Sequence, residues 1–481
     1  MVVVGAGISG IGAACHLRSR HPVRSFVVLE ALETFGGTWW THRYPGVRSD
    51  SDLFTFGYAF KPWKGAPLAS GEAIRAYLGE VIAEHGLDVA IRYRHRVQSA
   101  SWSSADRHWR LVVRREDSGE QLVVIASFLW MCQGYYRHAE GYTPEWEGMA
   151  RFEGRIVHPQ HWPEDLDYTA KRVVVIGSGA TAATLVPALA ADAAHVTMVQ
   201  RSPTFYYARP NVNELADTLR ALDIPDEWTH EIVRRKSIAD LEAAARLSFE
   251  RPEELRELLV EGIRPLLPDG FDVERHFSPS YRPWQQRIAV VPDGDLFAAI
   301  REVRASIVTD SIDHFSERGI RLASGEELEA DIVVTATGFD LAVLGDVDLV
   351  VDGEKVDVAR CVTYRGIMFT GVPNLAYVFG YFRFSWTLRA DLVSDFVCRL
   401  LRSMEERGAT MVVPALRDAD AGMPLGPWVD PEDFNPGYLA RSLHRMPRQG
   451  DRAPWRLEQD YLVERDLLAA ADFADGCLRF D

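Results

Sequence analysis

No two cysteines stand close together in this chain. Cys15, Cys132, Cys361, Cys398 and Cys477 are scattered over 481 residues, which excludes a CxxC redox pair and zinc-finger spacing. An odd, dispersed set reads as reduced thiols of a cytosolic protein, acting as small core residues. The sequence also lacks the ~20 consecutive apolar residues that a membrane span requires. Met1 leads straight into Val2-Val3-Val4 with no signal-peptide pattern; a true start a few residues upstream stays open, as do peripheral membrane association and oligomeric state. Positive charge is in deficit. A formal net charge of -16 argues against nucleic acid, whose affinity rests on Lys and Arg neutralising phosphates. There is no solenoid repeat and no low-complexity tract. What remains is an ordinary globular composition, 47% hydrophobic and 25% charged, long enough for two or three domains with a large ligand held between them. A soluble, cytoplasmic protein with small-molecule partners is expected.

Two strand–glycine–helix units stand out. In the first, Val2-Val3-Val4 runs into Gly5-Ala6-Gly7-Ile8-Ser9-Gly10, a helix follows from Ile11 to Arg18, and a second strand, Phe26 to Leu29, ends at Glu30. Gly5 permits a tight turn, Gly7 lets the backbone approach a pyrophosphate, and Gly10 lets helix and strand pack closely. The pyrophosphate then rests on the free N–H groups of the helix N-terminus. A carboxylate at Glu30 suits the hydroxyls of an adenosine ribose. In the second unit, Arg172 to Ile176 precedes Gly177-Ser178-Gly179-Ala180-Thr181-Ala182, and the next strand ends in Gln200-Arg201-Ser202-Pro203. No acid stands at the ribose position there; Arg201 attracts a 2′-phosphate, so NADPH is expected over NADH. The alternative for Arg201 is a solvated surface charge.

Between these units, residues 72–84 read as a helix and 91–132 as antiparallel strands. Residues 227–267 read as a helical excursion, and 415–460, rich in Pro, Gly and Trp, as irregular structure wrapped on the surface. The expected architecture is α/β, with two Rossmann-like dinucleotide-binding domains. An NADPH domain at 146–334 interrupts a discontinuous FAD domain formed by 1–145, with its antiparallel insert, and 335–481. One site with the acid that suits FAD and one with the arginine that suits NADPH indicate a flavin oxidoreductase, in which hydride passes from nicotinamide to isoalloxazine. Without a cysteine pair a disulfide reductase is excluded; a monooxygenase and a flavin electron transferase remain.

Further motifs carry a family resemblance. Phe152-Glu153-Gly154-Arg155-Ile156-Val157-His158-Pro159-Gln160-His161-Trp162-Pro163 matches the FxGxxxHxxxWP fingerprint of type I Baeyer–Villiger monooxygenases. Gly37, Trp39, Tyr44-Pro45-Gly46 and Asp50 stand at that family's spacing, and Ala336-Thr337-Gly338-Phe339 resembles its ATG segment. Arg43 to Asp52, Tyr281 to Arg287, and Ser385-Trp386-Thr387-Leu388 look like the ethionamide-activating branch. The chain departs from the wider family at Ser49, where Cys is common, and at Tyr281-Arg282-Pro283, where Lys-Arg-Pro is common. The second departure leaves open which arginine is catalytic.

The resemblance implies an FAD enzyme that consumes NADPH and dioxygen, forms a C4a-peroxyflavin, and inserts one oxygen atom into a ketone to give an ester. Oxidation of sulfides or thioamides is a second expected activity. The family chemistry needs a permanent cation beside the oxygen nucleophile, and Arg cannot be deprotonated in a protein. Arg287 is favoured over Arg282, with Asp50 as the carboxylate that orients it; a surface charge is the alternative for either arginine, and a cap or turn role for Asp50 and its neighbour Asp52. Gly5, Gly7, Ser9, Gly10, Glu30, Gly37, Thr38, Trp39, Tyr44 and Asp50 are assigned to FAD. Gly177, Gly179, Ala180, Thr181, Arg201 and Ser202 fall to NADPH, and Thr337, Gly338 and Phe339 to the cofactor crossover. Phe152, Gly154, His158, Trp162 and Pro163 are read as an interdomain hinge, with a purely structural linker role as the equal alternative for His158, and Trp386 and Phe384 as pocket lining or core. His161 beside Trp162 lacks the partners of a metal site, and no metal is expected. Two rivals remain: an N- or S-oxygenating flavin monooxygenase without Baeyer–Villiger activity, and an NADPH oxidase or electron-transfer flavoprotein.

Overall fold

Three consecutive valines at the start of the chain are buried, Val3 completely. A strand apolar on both faces belongs in the middle of a parallel sheet covered on both sides. In the computed structural model, which describes residues 1–481, Val2–Val4 is the central strand of a five-stranded sheet. The order is Leu375–Tyr377, Leu129–Met131, Val2–Val4, Val27–Leu29, Ile91–Arg92, with every pairing parallel. A second parallel sheet runs Ala305–Thr309, His195–Gln200, Arg172–Ile176, Ile332–Thr335, Arg155–Val157. The architecture is the α/β pair of Rossmann-like sheets that the two glycine units require.

The first sheet takes its outermost strand, Leu375–Tyr377, from beyond the second sheet in sequence. A third, mixed sheet joins His95–Ser103, His108–Arg115 and Gln121–Ala126, which pair antiparallel, to Asp348–Val351, which runs parallel to His95–Ser103. Two strands in the 91–132 stretch depart from the antiparallel expectation. Ile91–Arg92 and Leu129–Met131 leave the hairpins and extend the first parallel sheet, because short apolar runs carry no signal for the direction of a distant partner.

The expected helical excursion, 227–267, consists of helices Asp226–Glu250 and Pro252–Ile263, and a further helix, Glu214–Ala221, precedes it outside the expected bounds. Its long helix is anchored by Arg234, which is 5% exposed and donates to the carbonyls of Phe54, Thr55 and Gly57 at 3.0, 3.2 and 3.0 Å. The surface expectation for 415–460 is corrected. Trp428, Phe434, Leu439 and Trp455 are at most 1% exposed, and the segment contains the paired strands Leu425–Pro427 and Arg448–Gly450 and a helix, Gly437–Ser442. Proline and glycine interrupt regular elements, but burial follows the aromatic side chains between them. No helix is long and apolar enough to cross a membrane.

Candidate active site

The site begins at the first glycine loop. A Cβ on Gly10 would lie 1.8 Å from the Gly5 carbonyl oxygen, so the helix Ile8–Arg20 can rest on its strand only with glycine there. Gly7 faces Gly37, and a Cβ on Gly7 would meet nothing nearer than the Gly37 Cα at 3.6 Å. The two glycines pack backbone to backbone, a Cβ on Gly37 lying 3.0 Å from the Gly7 Cα, and together they line a trough free of side chains. At the end of the second strand Glu30 is 6% exposed and accepts from the Ala6 and Leu32 amides at 2.6 and 2.8 Å. Desolvation raises its pKa against the opposing pull of those amides. Each oxygen keeps lone-pair capacity toward the trough.

This trough widens into a cavity of about 330 Å³ lined by residues of both parallel-sheet units. Gly5, Gly7, Ser9, Glu30, Gly37, Thr38, Trp39, Tyr44, Asp50, Phe339 and Trp386 reach it from the first unit, and Ala180, Thr181 and Arg287 from the second. Two buried acceptors on its wall, His42 Nε2 and Gln133 Oε1, have no hydrogen-bond partner. The His42 Nδ1–H donates to the Thr38 carbonyl at 3.0 Å, which leaves Nε2 as the acceptor. Buried acceptors are normally satisfied, so a ligand with several hydroxyl donors, as on a ribityl chain, fits the donor set. The residues present fit FAD.

The second glycine loop abuts the returning chain: a Cβ on Gly177 would lie 2.2 Å from the Ala336 carbonyl oxygen, whereas one on Gly179 would meet nothing within 4 Å. Its helix, Ala180–Leu189, points its N-terminus at the cavity. Gly177, Gly179, Arg201, Ser202, Thr337 and Gly338 lie outside the cavity wall, with Arg201 and Ser202 exposed at the end of the neighbouring strand. An open approach to Gly179 beside an exposed arginine suits a phosphorylated dinucleotide.

The two units meet at the segment 44–50. Gly46 has φ +75°, and a Cβ there would lie 2.7 Å from the Ala188 Cβ on the second unit's helix. Tyr44 is 7% exposed and packs among the core residues of the second unit. This contact carries Asp50 toward the second unit, where its Oδ2 accepts from Arg287 Nη1 at 2.9 Å. The Arg287 side chain keeps 37% of its exposure and lines the cavity. Desolvation lowers its pKa; the Asp50 charge and the nearby Tyr438 and Tyr135 phenols outweigh this, and the net shift is upward. Asp52 is a cap instead, accepting from the Phe54 amide at 3.0 Å and from Arg209 at 3.0 Å.

Arg282 does not reach the cavity. It donates to the Ser248 and Asp433 carbonyls at 3.3 and 3.1 Å and lies 4.1 Å from the Phe249 ring centroid. Arg383 donates to the same Asp433 carbonyl and to its carboxylate, each at 2.7 Å. The pair clasps the end of the long helix to the C-terminal segment, so the structure separates the two candidate arginines. Trp386 and Phe384 separate as well. Trp386 donates from Nε1 to Ser9 Oγ at 2.7 Å and stacks on Tyr135 at 5.1 Å. Phe384 is 4% exposed and packs with Ile238, Tyr381 and Leu388, away from the cavity.

The fingerprint segment lies along the edge of the second sheet. A Cβ on Gly154 would come 2.4 Å from the Asp331 carbonyl oxygen, which lets Arg155–Val157 pair with Ile332–Thr335. Phe152 packs edge-on against Phe315, and Trp162 edge-on against Tyr168; Pro163 follows Trp162. His158 accepts from the Gln160 amide on Nδ1 and donates from Nε2 to the Gly338 carbonyl, both at 3.2 Å. Desolvation lowers its pKa. It therefore ties the outgoing connection to the returning one and touches no part of the cavity. Sequence patterns missed Tyr135, Tyr136 and His42, all on the cavity wall. Tyr136 pairs with Thr38 Oγ1 at 2.9 Å and stacks on Phe339 at 4.5 Å. The signal available for the two tyrosines was their place at the end of strand Leu129–Met131, where ligands of parallel sheets bind.

Comparison with known proteins agrees with this geometry. A flavin-binding monooxygenase-like family model matches residues 69–214, and an NAD(P)-binding Rossmann-like domain model matches residues 3–64. The chain is 48% identical over 483 residues to the FAD-containing monooxygenase EthA of Mycolicibacterium smegmatis, covering 100% of this chain and 96% of that protein. It is 46% identical over 482 residues to the protein of the same name from Mycobacterium tuberculosis, covering 100% and 97%. Among solved structures, an oxidised steroid monooxygenase bound to NADP superposes with a TM-score of 0.79 at 24% identity, over 100% of this chain and 98% of that one.

Proposed function

The chain belongs to the FAD-containing flavin monooxygenases and works with FAD and NADPH, and from that premise we propose that it inserts one oxygen atom into ketones to give esters and also oxidises sulfides or thioamides. The observation that carries this reading is the Asp50–Arg287 pair, held at 2.9 Å across the junction of the two units and facing the cavity they share.

Bound FAD supplies the hydride acceptor and the centre at which dioxygen is activated. The chain's own contributions follow from position. Glu30 and the Gly7–Gly37 trough would hold an adenosine ribose and pyrophosphate, and the second glycine loop would hold NADPH. Arg201 favours the 2′-phosphate over a bare ribose. Asp50 engages one guanidinium nitrogen of Arg287, which leaves the remaining N–H donors for the substrate oxygen that becomes negative when its carbonyl carbon is attacked. A fixed cation at such a point is among the larger contributions available to an enzyme. Trp386 and Tyr135, stacked on the wall, exclude water from the reacting centre. His158, Trp162 and the fingerprint act as a hinge between the units, through the Gly338 contact.

The test uses the purified yellow holoenzyme with NADPH and a panel of ketones and thioethers, with ester, sulfoxide and hydrogen peroxide quantified against NADPH consumed. Ester formed in step with NADPH supports the proposal. Sulfoxide without ester moves the protein to the S-oxygenating class. Peroxide alone across the panel refutes the oxygen-transfer reading and favours an NADPH oxidase.

A further inference from the structure

We infer that Arg441, on the C-terminal helix Gly437–Ser442, is a second phosphate-binding arginine for the nicotinamide dinucleotide, acting with Arg201 across the mouth of the second glycine loop. The inference rests on the assignment of that loop to NADPH.

Arg441 belongs to the first unit's returning segment, and it packs on the turn that follows the second sheet's strand Ile332–Thr335. Its guanidinium stacks 3.6 Å from the Tyr142 ring centroid, and Nη2 donates to the Phe339 carbonyl at 3.4 Å. A Cβ on Gly338 would stand 3.6 Å from the same nitrogen. The side chain therefore lies over the Thr337–Phe339 turn. That turn continues directly from Ala336, whose carbonyl is packed against Gly177. Arg441 is thus placed above the carboxyl ends of the adjacent strands Arg172–Ile176 and Ile332–Thr335, where parallel sheets bind their dinucleotides.

Its electrostatic surroundings point to an anion. Arg441 is half-buried, and the nearby carboxylate, Asp340, is already engaged by Arg137 and Arg445. Desolvation pulls its pKa down, with a smaller contribution from the like charge of Arg201. Neither Arg441 nor Arg201 has an ion pair of its own, so an anion bound at this turn would meet two uncommitted guanidiniums in a chain of net charge -16. Phosphate oxygens satisfy both, since the guanidinium fork matches phosphate geometry. The stacking on Tyr142 holds the fork's plane before the ligand arrives. The dinucleotide offers two such groups, the 2′-phosphate and the pyrophosphate.

The experiment is equilibrium binding of NADP+, NAD+ and 2′,5′-ADP to the oxidised FAD holoenzyme, followed by calorimetry. Wild type, Arg201→Gln, Arg441→Gln and Arg441→Met are compared, with FAD content and Tm as folding controls. Arg441→Gln should weaken NADP+ about tenfold or more, the scale of a lost charged hydrogen bond. Arg441→Met, which keeps the stem packed on Tyr142, should do the same. Loss confined to NADP+ and 2′,5′-ADP identifies the 2′-phosphate as the target, and equal loss for NAD+ identifies the pyrophosphate. NADP+ affinity within twofold of wild type, in whichever variant retains FAD, overturns the inference while leaving the NADPH assignment standing. Wild-type protein that binds no NADP+ overturns both.

Discussion

Replacing Arg287 by alanine separates stability from chemistry. The guanidinium and Asp50 are 2.9 Å apart, and two unit charges at ~4 Å attract by about 4 kcal/mol at an effective dielectric of about 20. Little of this becomes folding stability. The arginine is 37% and the aspartate 26% exposed, and for pairs with such access to water, screening and side-chain ordering reduce the net value to about 0–1 kcal/mol. The chemistry is different, because the charge that develops on the substrate oxygen is stabilised only if the cation is already in place. Loss of one such preorganised donor costs about 10²–10³ in rate, or about 2.7–4 kcal/mol. The variant should therefore retain FAD, melt within a few degrees of wild type, and still consume NADPH. Oxygenated product should fall by about a hundredfold or more, with hydrogen peroxide appearing in its place. Arg287→Lys should recover part of the product, and Asp50→Asn should lie between the two, because the arginine remains but loses its tether. The assay is product and peroxide measured against NADPH under saturating ketone. Arg287→Ala that keeps product per NADPH within threefold of wild type refutes the reasoning, and Arg282→Ala losing it instead would reassign the catalytic arginine.

Gly46→Ala should uncouple the two units. Its left-handed φ costs a non-glycine residue about 1–2 kcal/mol, and the new Cβ would sit 2.7 Å from Ala188; product per NADPH should fall while the flavin absorbance spectrum stays that of wild type. Breaking the buried Arg389–Glu464 pair, 0% and 4% exposed and 2.8 Å apart, by Glu464→Gln strands a cation and should destabilise the fold by about 3–5 kcal/mol in urea titration. Stability should also depend on pH through two buried histidines. His42 and His230 are desolvated, so their pKa values fall from 6.5 to about 4. Between these values the unfolded chain binds protons that the folded one does not, so stability drops as pH falls from about 6.5 towards 4, by up to about 3 kcal/mol for each histidine. Urea midpoints at pH 7.5 and 5.5 should differ for wild type and differ less for His230→Gln; equal pH dependence in both would rule out a contribution from His230.

The sequence by itself determined the two nucleotide loops. Gly5, Gly7 and Gly10, Gly177 and Gly179, Glu30 and Arg201 each lie within one strand–turn–helix–strand unit, where sterics and hydrogen bonding act over a few residues and leave a readable spacing. The same locality made the helices of 226–263 legible. Tertiary structure decided what locality could not. Arg282 and Arg287 stand five positions apart in one segment, but a turn closed by the Gln285 amide on the Arg282 carbonyl, with Trp284 at φ +64°, sends one to Asp433 and the other to Asp50. Phe384 and Trp386 diverge in the same way, across the start of helix Trp386–Arg407. Arg441 and the strand Leu375–Tyr377 reach their places only because the chain returns to its first sheet after building the second. Side-chain direction after an irregular turn depends on contacts with residues hundreds of positions away, and no pattern within the turn encodes those partners.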